Sequence, residues 1–240
     1  MRELLAGAQK LQITLRPEHL DALRTYQRLL IEWNQRFNLT AITDEAGIQH
    51  RHFLDSLSCL LALEPGERFA GKRIIDVGTG AGFPGIPLKI VCPGIGLTLL
   101  EATAKKTRFL RHVVEALSLD DVTVIHGRAE ELGRDAAHRQ QYLWALARAV
   151  ADLPILMEYL LPLLQVGGRG LAQKGESAPA EVHRSAYALQ QLGGQIRRLI
   201  SVDLRGINET RYLVLVDKVA ATPERYPRRP GMPRKRPLLG

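Results

Sequence analysis

The segment Ile75-Asp76-Val77-Gly78-Thr79-Gly80-Ala81-Gly82-Phe83-Pro84-Gly85 constrains this chain more than any other. A short apolar run at 74–77 ends in three alternating glycines and passes directly into a helical pattern at 82–91. Glycines at such a junction let the backbone turn with positive φ and let a ligand approach the main chain where a Cβ would stand in the way. The same rhythm continues: an apolar run at 97–100, a helical stretch at 105–117 and a run at 122–125, which together read as βαβαβ. A strand at 143–147, a helix at 153–164, a strand around 170–173 after Gly167-Gly168 and a helix at 180–192 follow. Two extended runs, 195–204 and 211–219, are joined by the polar segment 205–210 with no helix between them, which predicts an antiparallel hairpin at one sheet edge. The expected fold is a mostly parallel sheet of seven strands with helices on both faces.

Which ligand the loop takes is open at this level. Gly80-Ala81-Gly82-Phe83-Pro84-Gly85 satisfies the dinucleotide pattern, and Glu101 stands near the offset of roughly 20 residues at which such sites place a ribose-binding acid. Asp76 two residues ahead of Gly78, the terminal hairpin and the absence of a second domain for hydride transfer favour S-adenosylmethionine instead. Asp76, Gly78, Gly80 and Gly82 then resemble the DxGxGxG pattern of the Rossmann-like class I methyltransferases. Glu101 at the end of the second strand suits a vicinal diol, because its two oxygens accept in parallel. A dinucleotide oxidoreductase and a catalytically silent RNA-binding protein are the alternatives from other classes.

The first 70 residues read as a small helical cap: Pro17 fits a first helical turn, Leu20, Leu23, Leu30 and Trp33 keep a helical spacing, and a second helical pattern runs from His52 to Leu63. Residues 71–221 form the catalytic domain, and 222–240 a tail rich in Pro and Arg that is expected to be extended or to fold on binding. Of the formal charge of +8, the tail carries +5, residues 71–221 carry +4 and the cap carries −1. That imbalance suits a polyanionic partner, since clustered cations release condensed counterions from phosphates. No run approaches the roughly 20 continuous apolar residues of a spanning helix. Cys59 and Cys92 lack metal-ligand or CxxC spacing, so no metal and no disulfide is expected, and a cytoplasmic protein without a membrane partner is the reading.

From Trp33 to the C-terminus the chain resembles the bacterial 16S rRNA guanine-N7 methyltransferases of the RsmG (GidB) family. The resemblance rests on Trp33-Asn-Gln-Arg-Phe-Asn-Leu-Thr40, His52-Phe-Leu-Asp-Ser56, the glycine loop, Gly127-Arg-Ala-Glu130, Ala147-Arg-Ala-Val-Ala151, Gln173-Lys-Gly175 and Tyr226-Pro-Arg-Arg-Pro-Gly231, in that order. It implies S-adenosylmethionine contacts at Gly78, Phe83, Ala129, Glu130 and Arg148, and a substrate in 16S rRNA or the small ribosomal subunit. Leu143 departs from the family, whose members often carry an aspartate there.

Methylation of guanine N7 is an in-line displacement in which a ring lone pair attacks the sulfonium methyl, so no proton leaves the nucleophile and no general base is expected. Asp55 is a candidate reader of the guanine N1–H and N2–H donors; the competing reading is a helix-stabilising hydrogen bond. Arg148 is assigned positioning of a carboxylate or a phosphate, because a guanidinium beside the base would oppose its developing charge. Lys174, Arg228 and Arg229 are the candidates for RNA phosphate contacts. A monomer is expected. Methylation of another nucleic-acid atom or of protein is the alternative within enzymes.

Overall fold

The computed structural model describes residues 1–204 and 210–239. Seven strands form one sheet in the order β3-β2-β1-β4-β5-β7-β6: β1 (Arg73–Val77), β2 (Gly96–Glu101), β3 (Val122–His126), β4 (Tyr142–Arg148), β5 (Leu164–Lys174), β6 (Gly194–Val202) and β7 (Arg211–Lys218). The first five are mutually parallel, and β7 runs antiparallel to both β5 and β6. The strand order reverses between β1 and β4, where crossovers leave to opposite faces and open a crevice at the carboxyl ends. The expected hairpin is present; most of its connection, 205–209, lies outside the described residues.

Alternation along the strands divides the interior in two. Ile74, Leu97, Leu99, Trp144 and Leu146 point to one face, where they pack with Leu4, Leu23, Tyr26 and Leu30 of the N-terminal helices and with Phe109. Ile75, Val77, Ala145, Ala147 and Val214 point to the other, against Leu153, Leu156, Met157, Leu160 and Leu189. The N-terminal helices thus share a core with the sheet.

Helix α1 spans Arg2–Lys10 and α2 spans Pro17–Phe37, with Pro17 in the first turn as its fixed φ favours. Asn38 closes α2 in the left-handed conformation (φ 47°), and the Asn34 side chain accepts from the N–H groups of Leu39 and Thr40 while donating to the Thr40 carbonyl. The second helical pattern is longer than its sequence signal. It begins at Glu45, where the Asp44 carboxylate accepts from the Gly47 N–H, and passes through a π-helical stretch, Ile48–Leu54, before ending at Ala62. A π stretch breaks the 3.6-residue period that sequence reading relies on.

Two helices differ from expectation. The one expected over 153–164 stops at Leu160, and β5 starts four residues later; Leu160, Leu161, Leu163 and Leu164 are all buried, so periodicity carries no signal there. The one expected over 180–192 divides into Ala178–Arg184 and Ala186–Leu192 at Ser185, whose hydroxyl donates to the Glu181 carbonyl. The tail is not extended. Arg139 donates to the carbonyls of Gly133, Thr222 and Tyr226, Arg134 to that of Pro227, and Arg228 forms a bidentate ion pair with Glu158, whose side chain is fully buried. A short helix, Met232–Lys235, follows. Among the described residues, no helix is long and apolar enough to cross a membrane.

Candidate functional site

The glycine loop leaves β1 with positive φ at Gly78 (67°), Gly80 (63°) and Gly82 (103°). A Cβ on Gly78 would lie 2.8 Å from Val150 Cγ2, and one on Gly82 would lie 2.5 Å from both the Tyr26 hydroxyl and Ile86 Cδ1. A Cβ on Gly80 would meet nothing within 4 Å. Gly78 and Gly82 are therefore glycines for packing, whereas Gly80 keeps open a space that the protein leaves unfilled. Leu100 holds the loop to β2 by accepting from the N–H groups of Gly78 (2.8 Å) and Thr79 (3.1 Å).

Asp76 stands behind this loop. It is fully buried, and its Oδ2 accepts from the Thr79 hydroxyl (2.6 Å) and the Gly85 N–H (2.8 Å). Burial pushes its carboxyl up to about 6 despite those two hydrogen bonds, and Oδ1 has no hydrogen-bond partner among the described residues. Asp76, expected at the cofactor, is not among the residues that line the crevice in front of the loop; its hydrogen bonds shape the loop. Phe83 is likewise withdrawn, 3% exposed, stacked on His52 (centroids 4.4 Å) and Tyr26 (5.4 Å). Sequence reading missed Tyr26, whose hydroxyl donates to the Ala81 carbonyl and joins α2 to the loop.

In front of the loop is a cavity of about 230 Å³ lined by Val77, Gly78, Leu100, Ala102, Gly127, Arg128, Ala129, Glu130, Val150, Tyr159, Gly231 and Arg234. It collects the ends of β1, β2 and β3, the turn after β4 and the docked tail. Of the expected cofactor residues, Gly78, Ala129 and Glu130 line it. Glu101 lies at its edge, 7% exposed, with Oε2 accepting from the Gly80 N–H (3.0 Å) and Oε1 from the Thr103 N–H (2.8 Å). Each oxygen keeps a further lone pair, and the carboxylate is held in one orientation. Glu130 Oε1 accepts from the Gly231 N–H (3.0 Å), which ties the tail to this cavity. The tail's part in the wall had no local signal in the sequence.

Arg148 lies elsewhere, in a second cavity of about 330 Å³ lined by Ile42, Arg51, His52, Asp55, Arg148, Ala149, Gln173, Lys174, Gly175, Ser177, Arg211, Tyr212 and Leu213. The two cavities meet at the turn leaving β4: Ala149 lines one and Val150 the other, with Ala149 in the left-handed region (φ 52°). A left-handed alanine is uncommon and persists only where surrounding structure imposes it. The Arg148 guanidinium is held through both terminal nitrogens: it donates to Asp55 Oδ2 (2.9 Å) and the Arg51 carbonyl (3.0 Å), meets His52 Nδ1 (3.2 Å) and lies 4.9 Å over the Phe83 ring. Burial, reinforced by Arg148, lowers the His52 imidazole to about 3, so the ring is neutral near pH 7. With Nδ1 accepting from the guanidinium, Nε2 carries the proton and donates to Thr40 Oγ1 (2.8 Å).

Lys174 and Arg228 are committed to other partners in this structure. Lys174 Nζ lies 2.6 Å from Glu181 and donates to the Ala151 carbonyl, and Arg228 is paired with Glu158. Arg229 is exposed, as are Arg234, Lys235 and Arg236, so the docked tail sets a basic rim beside the first cavity.

Comparison with known proteins sharpens this picture. Residues 19–205 match the family model GidB, described as rRNA small subunit methyltransferase G. The chain is 49% identical over 239 residues to a ribosomal RNA small subunit methyltransferase G of Roseiflexus castenholzii, covering 100% of both chains. It is 44% identical over 232 residues to one of Alkaliphilus metalliredigens, covering 97% of this chain and 96% of that one. Among solved structures, a mutant of MtNAS in complex with S-adenosylmethionine superposes with a TM-score of 0.56 at 19% identity, covering 85% of this chain and 77% of that one; the likeness is one of fold.

Proposed function

Because the chain belongs to the rRNA small subunit methyltransferase G (GidB) family, we propose that it transfers a methyl group from S-adenosylmethionine to N7 of a specific guanine in 16S rRNA, with the cofactor in the first cavity and the base in the second. The observation that carries this reading is the shared wall: the turn Arg148-Ala149-Val150 borders both cavities at the point where the strand order reverses.

The first cavity fits such a cofactor on three counts. Val77, Leu100, Ala129 and Val150 line it as an apolar bed; next to that lining, Gly80 leaves open a space that any Cβ would fill, and Glu101 is oriented by two N–H donors with lone pairs to spare for a diol. When bound, S-adenosylmethionine supplies an electrophilic sulfonium methyl. The residues of the chain then hold, orient and screen. Gly78, Gly80, Ala129 and Glu130 are proposed to contact the cofactor through main chain and cavity wall, and Glu101 to accept from both sugar hydroxyls.

Nothing in the second cavity needs to take a proton, because N7 attacks through a lone pair; the work is alignment in a shaped, water-poor site. The electrostatics suit a base that becomes cationic. An unpaired guanidinium about 4 Å from a nascent cation would oppose it by roughly 4 kcal/mol at an effective dielectric of 20. Asp55 neutralises Arg148, and His52 is uncharged. Arg148 is a positioning residue that braces Asp55, His52 and Phe83. Arg229 is proposed to meet RNA phosphate directly; Lys174 and Arg228, paired with acids, would act there by holding the cavity rim and the tail. The base must leave its stack to enter, which favours single-stranded or looped RNA.

The test is to incubate the protein with S-adenosylmethionine and either deproteinised small-subunit rRNA or the intact subunit, digest the RNA to nucleosides and analyse them by mass spectrometry. New 7-methylguanosine is expected. A different methylated nucleoside, or methyl incorporation into protein alone, overturns the assignment.

A further inference from the structure

We propose that Asp55 selects the base: its carboxylate takes the N1–H and N2–H edge of guanine and so leaves N7 facing the wall shared with the first cavity. This rests on the reading that guanine N7 is the methyl acceptor.

The Asp55 side chain is 6% exposed, lines the second cavity and is the one carboxylate among the residues that do. It engages Arg148 through Oδ2, and Oδ1 is hydrogen-bonded to none of the described residues. A buried carboxylate normally fills its acceptor positions, because a group removed from water without partners costs free energy. Gln173, paired with Arg148 across β4 and β5 and 4% exposed, lines the same cavity. Its amide orientation follows from the hydrogen bonds: Nε2 donates to the Asp55 carbonyl (2.6 Å) and lies 3.4 Å from Ser58 Oγ, so the unpartnered buried atom is the oxygen. Asp55 Oδ1 thus stands at the cavity wall short of a donor, whereas the unpartnered Gln173 oxygen is buried on the adjoining strand, out of reach of a bound base.

Guanine supplies what Asp55 lacks. Among the four bases, only guanine presents two adjacent donors on its Watson–Crick edge; adenine and cytosine place a lone pair at the ring position, and uracil offers a single donor between two carbonyls. A lone pair turned toward Asp55 would leave the carboxylate unpaired and repelled, the situation in which polar sites discriminate most strongly. Because N7 lies on the far side of the purine from N1 and N2, anchoring that edge turns the nucleophile outward. Arg51, exposed at the mouth of the same cavity, suits the O6 and phosphate acceptors that remain. Base choice and N7 alignment are thereby one contact.

The experiment is a functional-group cycle. The methylated guanosine is first located with the wild-type protein. Splint-ligated small-subunit RNA is then prepared with guanosine or inosine at that position; inosine keeps N7 and N1–H but lacks the N2 amine. Wild-type kcat/KM should fall about 10- to 100-fold on inosine, the range for a hydrogen bond to a charged group. In Asp55→Asn the guanosine rate should drop while the inosine penalty shrinks to within about threefold, with S-adenosylhomocysteine affinity unchanged by calorimetry. Wild-type protein methylating both RNAs alike overturns the proposal, as does a full inosine penalty persisting in Asp55→Asn, which would mean Asp55 only braces Arg148. Should Asp55→Asn not fold, wild-type protein on RNA with 1-methylguanosine at that position, which keeps N7 and the N2 amine but has no N1–H, reads the same edge: a strongly reduced rate is expected, and a rate equal to that on guanosine overturns the proposal. Absence of 7-methylguanosine on the guanosine RNA would instead count against the proposed function itself.

Discussion

Replacing each loop glycine by alanine should separate the glycine that serves the ligand from the one that serves the fold. At Gly80 the substitution places a left-handed alanine (φ 63°) with no protein atom within 4 Å of the new methyl. The left-handed conformation costs roughly 1–2 kcal/mol, which lowers Tm by about 2–8 °C for a domain of this size. The methyl enters the space proposed for the cofactor, and overpacking of that kind costs about 1–3 kcal/mol, a loss of roughly 5- to 150-fold in S-adenosylhomocysteine affinity. At Gly82 the methyl would lie 2.5 Å from the Tyr26 hydroxyl and Ile86 Cδ1 at φ 103°, outside any region open to L residues. Strain and overlap together should cost about 2–5 kcal/mol of stability. Thermal melts and titration calorimetry on both variants give the comparison. Gly80→Ala binding S-adenosylhomocysteine as tightly as wild type would refute the assignment of that open space, whatever its Tm.

Arg228→Ala strips the partner from a fully buried Glu158 and should cost about 3 kcal/mol, seen by chemical denaturation together with faster hydrogen exchange over 226–236; unchanged exchange would show that the tail docks without the pair. The His52 ring should remain neutral from pH 5 to 8, with Nε2 protonated, in ¹H–¹⁵N spectra. Its depressed value means the associated stability is complete above 6.5 and is lost as pH falls toward about 3. Asp76 has the opposite sign: its raised value, about 6 against 3.8, favours the folded state at low pH, and that contribution, on the order of 3 kcal/mol, fades as pH rises through 6. Asp76→Asn should therefore flatten the loss of stability between pH 4 and 7 in denaturant titrations, and an unchanged slope would show that the carboxyl titrates normally.

What was legible in the sequence was local in the sequence. The strand, glycine turn and helix at 74–91 form one continuous signal, and Glu101 follows at the end of the next strand, so the fold class and the loop at the head of the crevice could be read together. The second cavity could be read only in pieces, because its defining pair joins Asp55 to Arg148, 93 residues apart. Asp76 shows how a motif can mark a residue without placing it: the pattern picks out a position the loop requires, and only the structure shows it fully buried and tied to the loop by two hydrogen bonds. The tail carried a misleading signal, since Pro and Arg enrichment usually means an extended segment. Its anchor, Glu158, is hidden in an apolar helical stretch where a lone carboxylate gives no hint of a partner 70 residues away. Helix boundaries near Leu160 and through the π stretch were lost for a simpler reason, that uniform burial or a changed period erases the pattern.

The most direct measurement is a crystal structure with bound S-adenosylhomocysteine. Its sugar hydroxyls should lie within hydrogen-bond reach of both Glu101 oxygens, with the main chain at Gly80 alongside and the thioether directed toward the turn Arg148-Ala149-Val150. Density confined to the cavity around Asp55 and Gln173, or a crevice in front of Gly80 that stays shut while the compound binds elsewhere, would contradict the division of the site into cofactor and base cavities.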